Sequence, residues 1–297
     1  MFRSRPLRTF ADEVRRFHPE VVGLSLRNVD NAAYPRTVDY LDQHRAVVDV
    51  LHETTTAPVI LGGSGFSIMP KAYMQVLDGD WGIAGEAEAA FAALLAAMEE
   101  GRRPDGIPGL YGRGGTVGFS IETVSYPIRH RGWHDGLRPA RALLDYPRYI
   151  RRGGMGNVQT KRGCVFKCSY CTYPLLEGNR FRTREVADVV DEIEALMHDY
   201  GPHPIFFVDS ILNFPRGHVE SLCEEILHRG LNVRWSCYAT PVKLDRHQAQ
   251  LIATASNWAP TPSMTANWPG SANRSMRRWP NGQTATAWKA ACRSARP

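Results

Sequence analysis

Apolar positions recur along this chain with two periods that alternate. Phe10, Val14 and Phe17 fall at helical spacing, and Val21 to Leu26 then forms a short apolar run of strand length. Val38, Leu41, Val47, Val50 and Leu51 mark a second helix, Pro58 to Leu61 a strand closed by Gly62 and Gly63, and Trp81 to Ala84 a weaker strand. Ala89, Phe91, Leu94, Leu95 and Met98 trace a third amphipathic helix behind Glu86 and Glu88, whose charges suit a helix N-terminus. Strands alternating with helices predict an α/β domain with a parallel sheet and helices on its faces. The pattern opens on a helix, whereas a doubly wound domain opens on a strand, so the first strand is expected to be missing.

Residues 101–155 are rich in Gly, Pro and Arg and carry little periodicity. They predict a linker over 106–155 that follows a first domain over 1–105. A second alternation starts at Asn157. A strand at Val158 to Thr160 leads into a cysteine-bearing loop, then into a helix through Val186, Val189, Val190, Ile193 and Met197. The strand Ile205 to Val208, the loop DSILNFP, a helix through Val219, Leu222, Ile226 and Leu227, the strand Val233 to Tyr238 and a short helix through Leu251 follow. Residues 156–253 thus read as a run of βα units with an open edge, short of a closed barrel.

Hydrophobic residues make up 43% of the 297 and charged residues 22%, and no apolar run approaches the roughly 20 residues of a membrane helix. No membrane association is expected, and the basic start carries no apolar signal core, which leads to a cytoplasmic expectation. The net charge of +6 is local. Residues 254–297 hold Arg274, Arg277, Arg278, Lys289, Arg293 and Arg296 without any Asp or Glu, so the body is balanced and nucleic acid is not an expected partner. Val, Leu and Ile are absent from this tail while Trp258, Trp268, Trp279 and Trp288 crowd into it. Such a stretch cannot build a core, and it reads as disordered or as out-of-frame translation at a truncated end.

Cys164, Cys168 and Cys171 are bunched in TKRGCVFKCSYCTYP, whereas Cys223, Cys237 and Cys292 are scattered. That is a ligand pattern and not a disulfide framework. Three thiolates on one loop can hold three corners of a [4Fe-4S] cluster and leave the fourth iron open, and Lys161, Arg162 and Lys167 supply positive charge that favours thiolates. The alternative is zinc, with His203 or Cys237 as a fourth ligand.

The spacing C-x3-C-x-aromatic-C, with Tyr170 as the aromatic residue, resembles the radical S-adenosylmethionine (AdoMet) superfamily. The resemblance implies a cluster held by Cys164, Cys168 and Cys171, with AdoMet on the open iron and Tyr170 beside it. Reductive cleavage would then yield methionine and a 5′-deoxyadenosyl radical, with an electron donor such as flavodoxin or ferredoxin. It also implies a partial (βα) barrel with the site at the strands' C-terminal ends. There Asp209, Ser210 and Asn213 of IFFVDSILN are candidates to contact AdoMet, in place of a Gly-Gly-Glu-like pattern; a turn and helix cap is the other reading.

The preceding VVGLSLRNVDN, APVILGGSGFSIMP and GIAGEAEAAF, together with that loop, resemble the cobalamin-binding radical AdoMet class over roughly residues 15–253. The implied fold is a doubly wound, flavodoxin/Rossmann-like B12-binding domain followed by a partial barrel, incomplete at its C-terminus. Ser25, Gly62 and Gly63 would line the cleft for the nucleotide tail of cobalamin. No D-x-H-x-x-G segment is present to give a lower axial His. Methyl transfer is the typical reaction of the class and rearrangement also occurs in it; the substrate would be a small molecule or a peptide. Two alternatives are a truncated remnant that is inactive or merely binds cofactor, and an RNA-modifying radical AdoMet enzyme.

Overall fold

Val59, Ile60 and Leu61 are all buried in the computed structural model, which describes residues 6–33, 35–113, 138–242 and 244–256. A strand buried along its whole length must be covered on both faces, and this one is. It forms β2 (Val59–Gly62), between β1 (Val22–Ser25) and β3 (Trp81–Ile83), both parallel to it. Val59 and Leu61 face one core with Val14, Val48, Leu51, Phe66 and Met74, while Ile60 faces another with Ile83, Ala90 and Leu94. The helices that supply these residues are α1 (Pro6–Phe17), α2 (Leu41–Thr54), α3 (Gly63–Ile68), α4 (Pro70–Val76) and α5 (Glu88–Glu99).

The structure departs from the sequence expectation at two places in this half. The crossover between β2 and β3 is helical, as α3 and α4, with Pro70 at the start of α4 where its missing N–H costs nothing. The predicted linker also contributes a strand, β4 (Leu110–Gly112), which adds antiparallel to β3 and completes the order β1-β2-β3-β4. Arg113 then ties the end of β4 to Asp78 and Asp80 ahead of β3, at 2.9 and 2.7 Å.

The chain divides into two units: Met1–His130 with Val165–Asn179, and Arg131–Cys164 with Arg180–Pro297. In the second unit α6 (Tyr146–Arg151), also from the predicted linker, is capped by Asp145, whose carboxylate accepts from Arg148 N–H. Next come β5 (Gly156–Val158) and β6 (Lys161–Arg162); the chain then passes through the cysteine loop, whose residues 165–179 with α7 (Tyr173–Leu176) belong to the first unit, and re-enters the second at β7 (Arg182–Thr183). α8 (Val186–Tyr200), β8 (Ile205–Phe207), α9 (Arg216–His228), β9 (Trp235–Cys237) and α10 (Arg246–Ala255) follow. β5, β8 and β9 form a parallel sheet in the order β5-β8-β9, as expected of successive βα units.

The second unit's core joins Val158, Ile205, Phe207 and Trp235 of that sheet to Val189, Ile193, Leu222 and Ile226 of α8 and α9. Full burial of each such side chain stabilises by about 1.5–3 kcal/mol. The predicted basic tail lies outside the described residues from 257 onward, and α10 carries ordered helix past residue 253. Among the described residues no helix is long and apolar enough to cross a membrane.

Candidate cofactor site

In the first unit, Ser25 and Gly62 end their strands opposite each other in register, with Ser25 exposed. The chain then folds back on itself: Leu26 N–H donates to Gly62 carbonyl at 2.7 Å, Gly65 N–H to Leu26 carbonyl at 2.8 Å, and Ser64 hydroxyl to Arg27 carbonyl at 2.6 Å. The two glycines of the turn have different duties. Gly63 sits at φ +92°, and a Cβ there would lie 2.7 Å from Leu26 carbonyl oxygen and 2.8 Å from Ser25 Oγ, so the fold itself requires glycine. Gly62 is extended, and a Cβ would meet only Ile83 carbonyl oxygen at an ordinary 3.6 Å. Its lack of a side chain is unused by the protein and leaves the strand end open to close approach by a ligand.

The neighbouring polar run is largely self-satisfied. Asp30 accepts from Ala32 N–H at 2.6 Å, Asn31 from Ala33 and Val38 N–H at 3.1 and 3.0 Å, and Arg27 and Asn28 stay exposed.

The cysteine loop leaves the second unit at β6 and returns at β7, which pair antiparallel with Lys161 opposite Thr183 and Arg162 opposite Arg182. This two-rung ribbon closes the base of the loop. Cys164 is buried, Cys168 exposed and Cys171 half-buried, and all three are free thiols. Cys171 N–H donates to Cys168 carbonyl at 3.2 Å, a turn that sets the C-x2-C half of the motif. Tyr170 is 84% exposed and its hydroxyl hydrogen-bonds to Cys168; the Cys168 charge is the main cause that raises its pKa, ahead of burial. Further along the loop, α7 packs against α3, the helix that follows the Gly62–Gly63 turn.

Among the described residues no three His, Cys, Asp or Glu side chains converge as a preformed metal-binding group. The donor set nonetheless has iron–sulfur character, with three free thiols on one short loop. The expected zinc ligands are otherwise engaged. His203 Nδ1 is 2.7 Å from Gly201 carbonyl oxygen and its Nε2 3.3 Å from the Tyr146 hydroxyl, while burial pushes the Cys237 thiol up to about 12.

The end of β8 holds Asp209, Ser210 and Asn213, and their polar atoms turn onto the protein. Asp209 Oδ1 accepts from Thr160 N–H at 2.8 Å and Lys161 N–H at 3.3 Å; Oδ2 accepts from Thr160 hydroxyl at 2.6 Å and Lys161 Nζ at 2.8 Å. Both side chains of the Lys161–Asp209 pair are wholly buried. The positive charge of Lys161, expected from the sequence to favour the thiolates, is therefore matched inside the protein by Asp209. Ser210 hydroxyl donates to Gly163 carbonyl at 3.1 Å. Asn213 makes two 2.8 Å bonds to the Thr240 backbone, one donated and one accepted. His218 Nε2 lies 3.0 Å from Thr160 Oγ1, and burial, reinforced by Lys161, lowers its pKa. Thr160 and His218 also belong to this site, and no local sequence signal marks them, because their partners are remote along the chain.

A parallel sheet whose neighbouring strands end at Ser25 and Gly62, ahead of βα units with a three-thiol loop, is the two-part arrangement that the resemblance to cobalamin-binding radical AdoMet enzymes implies. Comparison with known proteins agrees. Residues 2–95 match the B12 binding domain family. The tryptophan 2-C-methyltransferase of Streptomyces laurentii is 30% identical over 300 residues, spanning 83% of this chain and 50% of the relative. An uncharacterized methyltransferase of Pyrococcus horikoshii is 28% identical over 240 residues, spanning 77% of this chain and 48% of the relative.

Among solved structures, the radical S-adenosylmethionine methyltransferase TsrM from Kitasatospora setae superposes with a TM-score of 0.71 at 31% identity, over 83% of this chain and 49% of TsrM. That structure carries tryptophan substrate and a SAM analog; another of the same protein carries cobalamin and a [4Fe-4S] cluster. The cobalamin-dependent S-adenosylmethionine radical enzyme OxsB superposes with a TM-score of 0.63 at 16% identity, over 84% of this chain and 36% of OxsB, and shares the fold. The chain is a partial-length relative of the cobalamin-dependent radical AdoMet methyltransferases, and spans about half the length of the curated relatives it matches.

Proposed function

We propose that this chain is the cofactor-binding part of a cobalamin-dependent radical AdoMet enzyme that transfers a methyl group to a small-molecule or peptide substrate. The observation that carries the reading is the pairing, in one chain, of a B12 binding domain with the Cys164, Cys168 and Cys171 loop. Cys164, Cys168 and Cys171 would hold a [4Fe-4S] cluster. When bound, cluster, AdoMet and cobalamin together supply one-electron chemistry and a transferable methyl group.

The chain's own residues bind and orient. Gly62, where a Cβ would meet only an ordinary contact, and the exposed Ser25 would line the approach of the nucleotide tail of cobalamin, Gly63 keeps the turn between them tight, and Tyr170, hydrogen-bonded to Cys168, would stand beside the cluster. Ser210 and Gly163 hold the loop's first turn. Electrons would come from a flavodoxin or ferredoxin, and the protein would act in the cytoplasm.

Anaerobic reconstitution of the chain with iron, sulfide and hydroxocobalamin tests the reading. Stoichiometric uptake of both cofactors and transfer of label from methyl-labelled AdoMet to cobalamin are expected. A chain that retains neither cofactor refutes it.

A further inference from the structure

Asp209 occupies the strand end where the resemblance would put an AdoMet contact, yet its carboxylate is saturated by the chain. It accepts from Thr160 N–H, Thr160 hydroxyl, Lys161 N–H and Lys161 Nζ, and it is wholly buried. A carboxylate with four donors, one of them a buried cation, has no oxygen to spare for an outside ligand. All four donors come from two residues, and those residues enter the cysteine loop just ahead of Cys164.

The same stem is held from its other sides. Thr160 carbonyl accepts from Arg184 N–H at 2.9 Å, and Lys161 Nζ also donates to Leu212 carbonyl at 3.3 Å and lies 5.8 Å from the centre of the Phe181 ring. The Thr160 hydroxyl spends its proton on Asp209, so its oxygen takes the His218 Nε2–H at 3.0 Å.

We infer that Asp209 and Lys161 are a pair of positioning residues for the iron–sulfur cluster: the pair locks the stem that presents Cys164, and its balanced charges set the field in which the cluster is reduced. The inference rests on the proposed function. A lock made only of apolar side chains would hold the stem as well; the buried opposite charges add a field whose two halves can be removed separately.

The test uses the full chain, reconstituted anaerobically, in four forms: wild type, Asp209→Asn, Lys161→Met and the double variant. Iron and sulfide per chain, the cluster's reduction potential and AdoMet affinity are measured on each. Asp209→Asn uncovers a positive charge and is expected to shift the potential up; Lys161→Met uncovers a negative charge and is expected to shift it down. The double variant, which buries no charge and so keeps the fold in play, is expected to return toward wild type. Cluster content should fall in both single variants, with AdoMet affinity unchanged per loaded cluster.

Shifts of the same sign in both single variants, or no shift, overturn the inference. So does a loss of AdoMet affinity at unchanged cluster content and potential, which would make Asp209 a ligand contact. If the wild-type chain takes up no cluster, the proposed function fails and the inference falls with it.

Discussion

A Cβ on Gly63 would stand 2.8 Å from the Oγ of Ser25, so the turn after β2 closes onto the end of β1 only because residue 63 has no side chain. Gly62, one residue earlier, is under no such demand. The two glycines of one dipeptide therefore separate a folding requirement from a binding one.

Gly63→Ala should destabilise the first unit by about 1–3 kcal/mol, from the left-handed backbone and the backbone contact at Leu26. Gly62→Ala should leave stability within about 1 kcal/mol of wild type and weaken cobalamin retention. Urea unfolding and absorbance titration with hydroxocobalamin measure the two effects. A stable Gly63→Ala chain would show that the turn relaxes.

Glu192 on α8 is clamped between Arg184 and Arg141, each 2.6 Å away, and all three side chains are nearly buried. Glu192→Ala leaves two buried guanidiniums without their carboxylate and should cost about 3–5 kcal/mol of stability, read as a lower denaturation midpoint. The clamp joins the segment at Arg141 to α8, so proteolysis at residues 138–145 should accelerate in the same variant.

The thiols should differ sharply in reactivity. Cys168 is exposed and should be alkylated first, with Cys171 behind it. Burial pushes Cys223 and Cys237 up to about 12, so both should remain unmodified in the folded chain at pH 8. Mass spectrometry of timed iodoacetamide reactions gives the order. In reconstituted protein Cys164, Cys168 and Cys171 should all be protected together.

The lowered pKa of His218 makes stability depend on pH in a defined direction. Burial, and Lys161 after it, favour the neutral ring in the folded state, whereas the unfolded ring titrates near its usual value of about 6.5. The unfolded chain therefore binds more protons, and stability is full above about pH 6.5 and falls as pH drops below it toward the folded pKa. Urea midpoints measured from pH 7.5 to 5 should decline, and His218→Gln should flatten the curve. Some slope should persist, since burial lowers His44 in the same direction.

Most of the strand and helix alternation was legible because β2, β8 and their covering helices carry strong apolar periods. The cysteine motif was legible because ligand spacing is written locally. What was hidden had other causes. After the strand closed by Gly62 and Gly63 no helix is predicted before Trp81, yet α3 and α4 form there because Phe66 and Met74 find a core to bury in. The strand β4 is three residues long in a Gly- and Pro-rich stretch and exists by pairing with β3. Asp209 reads in DSILN as a candidate AdoMet contact or as a turn and helix cap; that its partner is Lys161, remote along the chain, depends on the parallel register of β5 with β8, which no local pattern encodes.

The central claim, a three-thiolate cluster with an iron open to AdoMet, is tested most directly by EPR of the anaerobically reconstituted and reduced full chain, with and without AdoMet. The account expects a reduced [4Fe-4S] signal whose g-values shift when AdoMet is added and which is lost in Cys168→Ala. Stoichiometric zinc in place of iron, with no cluster signal from a chain that keeps all three cysteines, would contradict it.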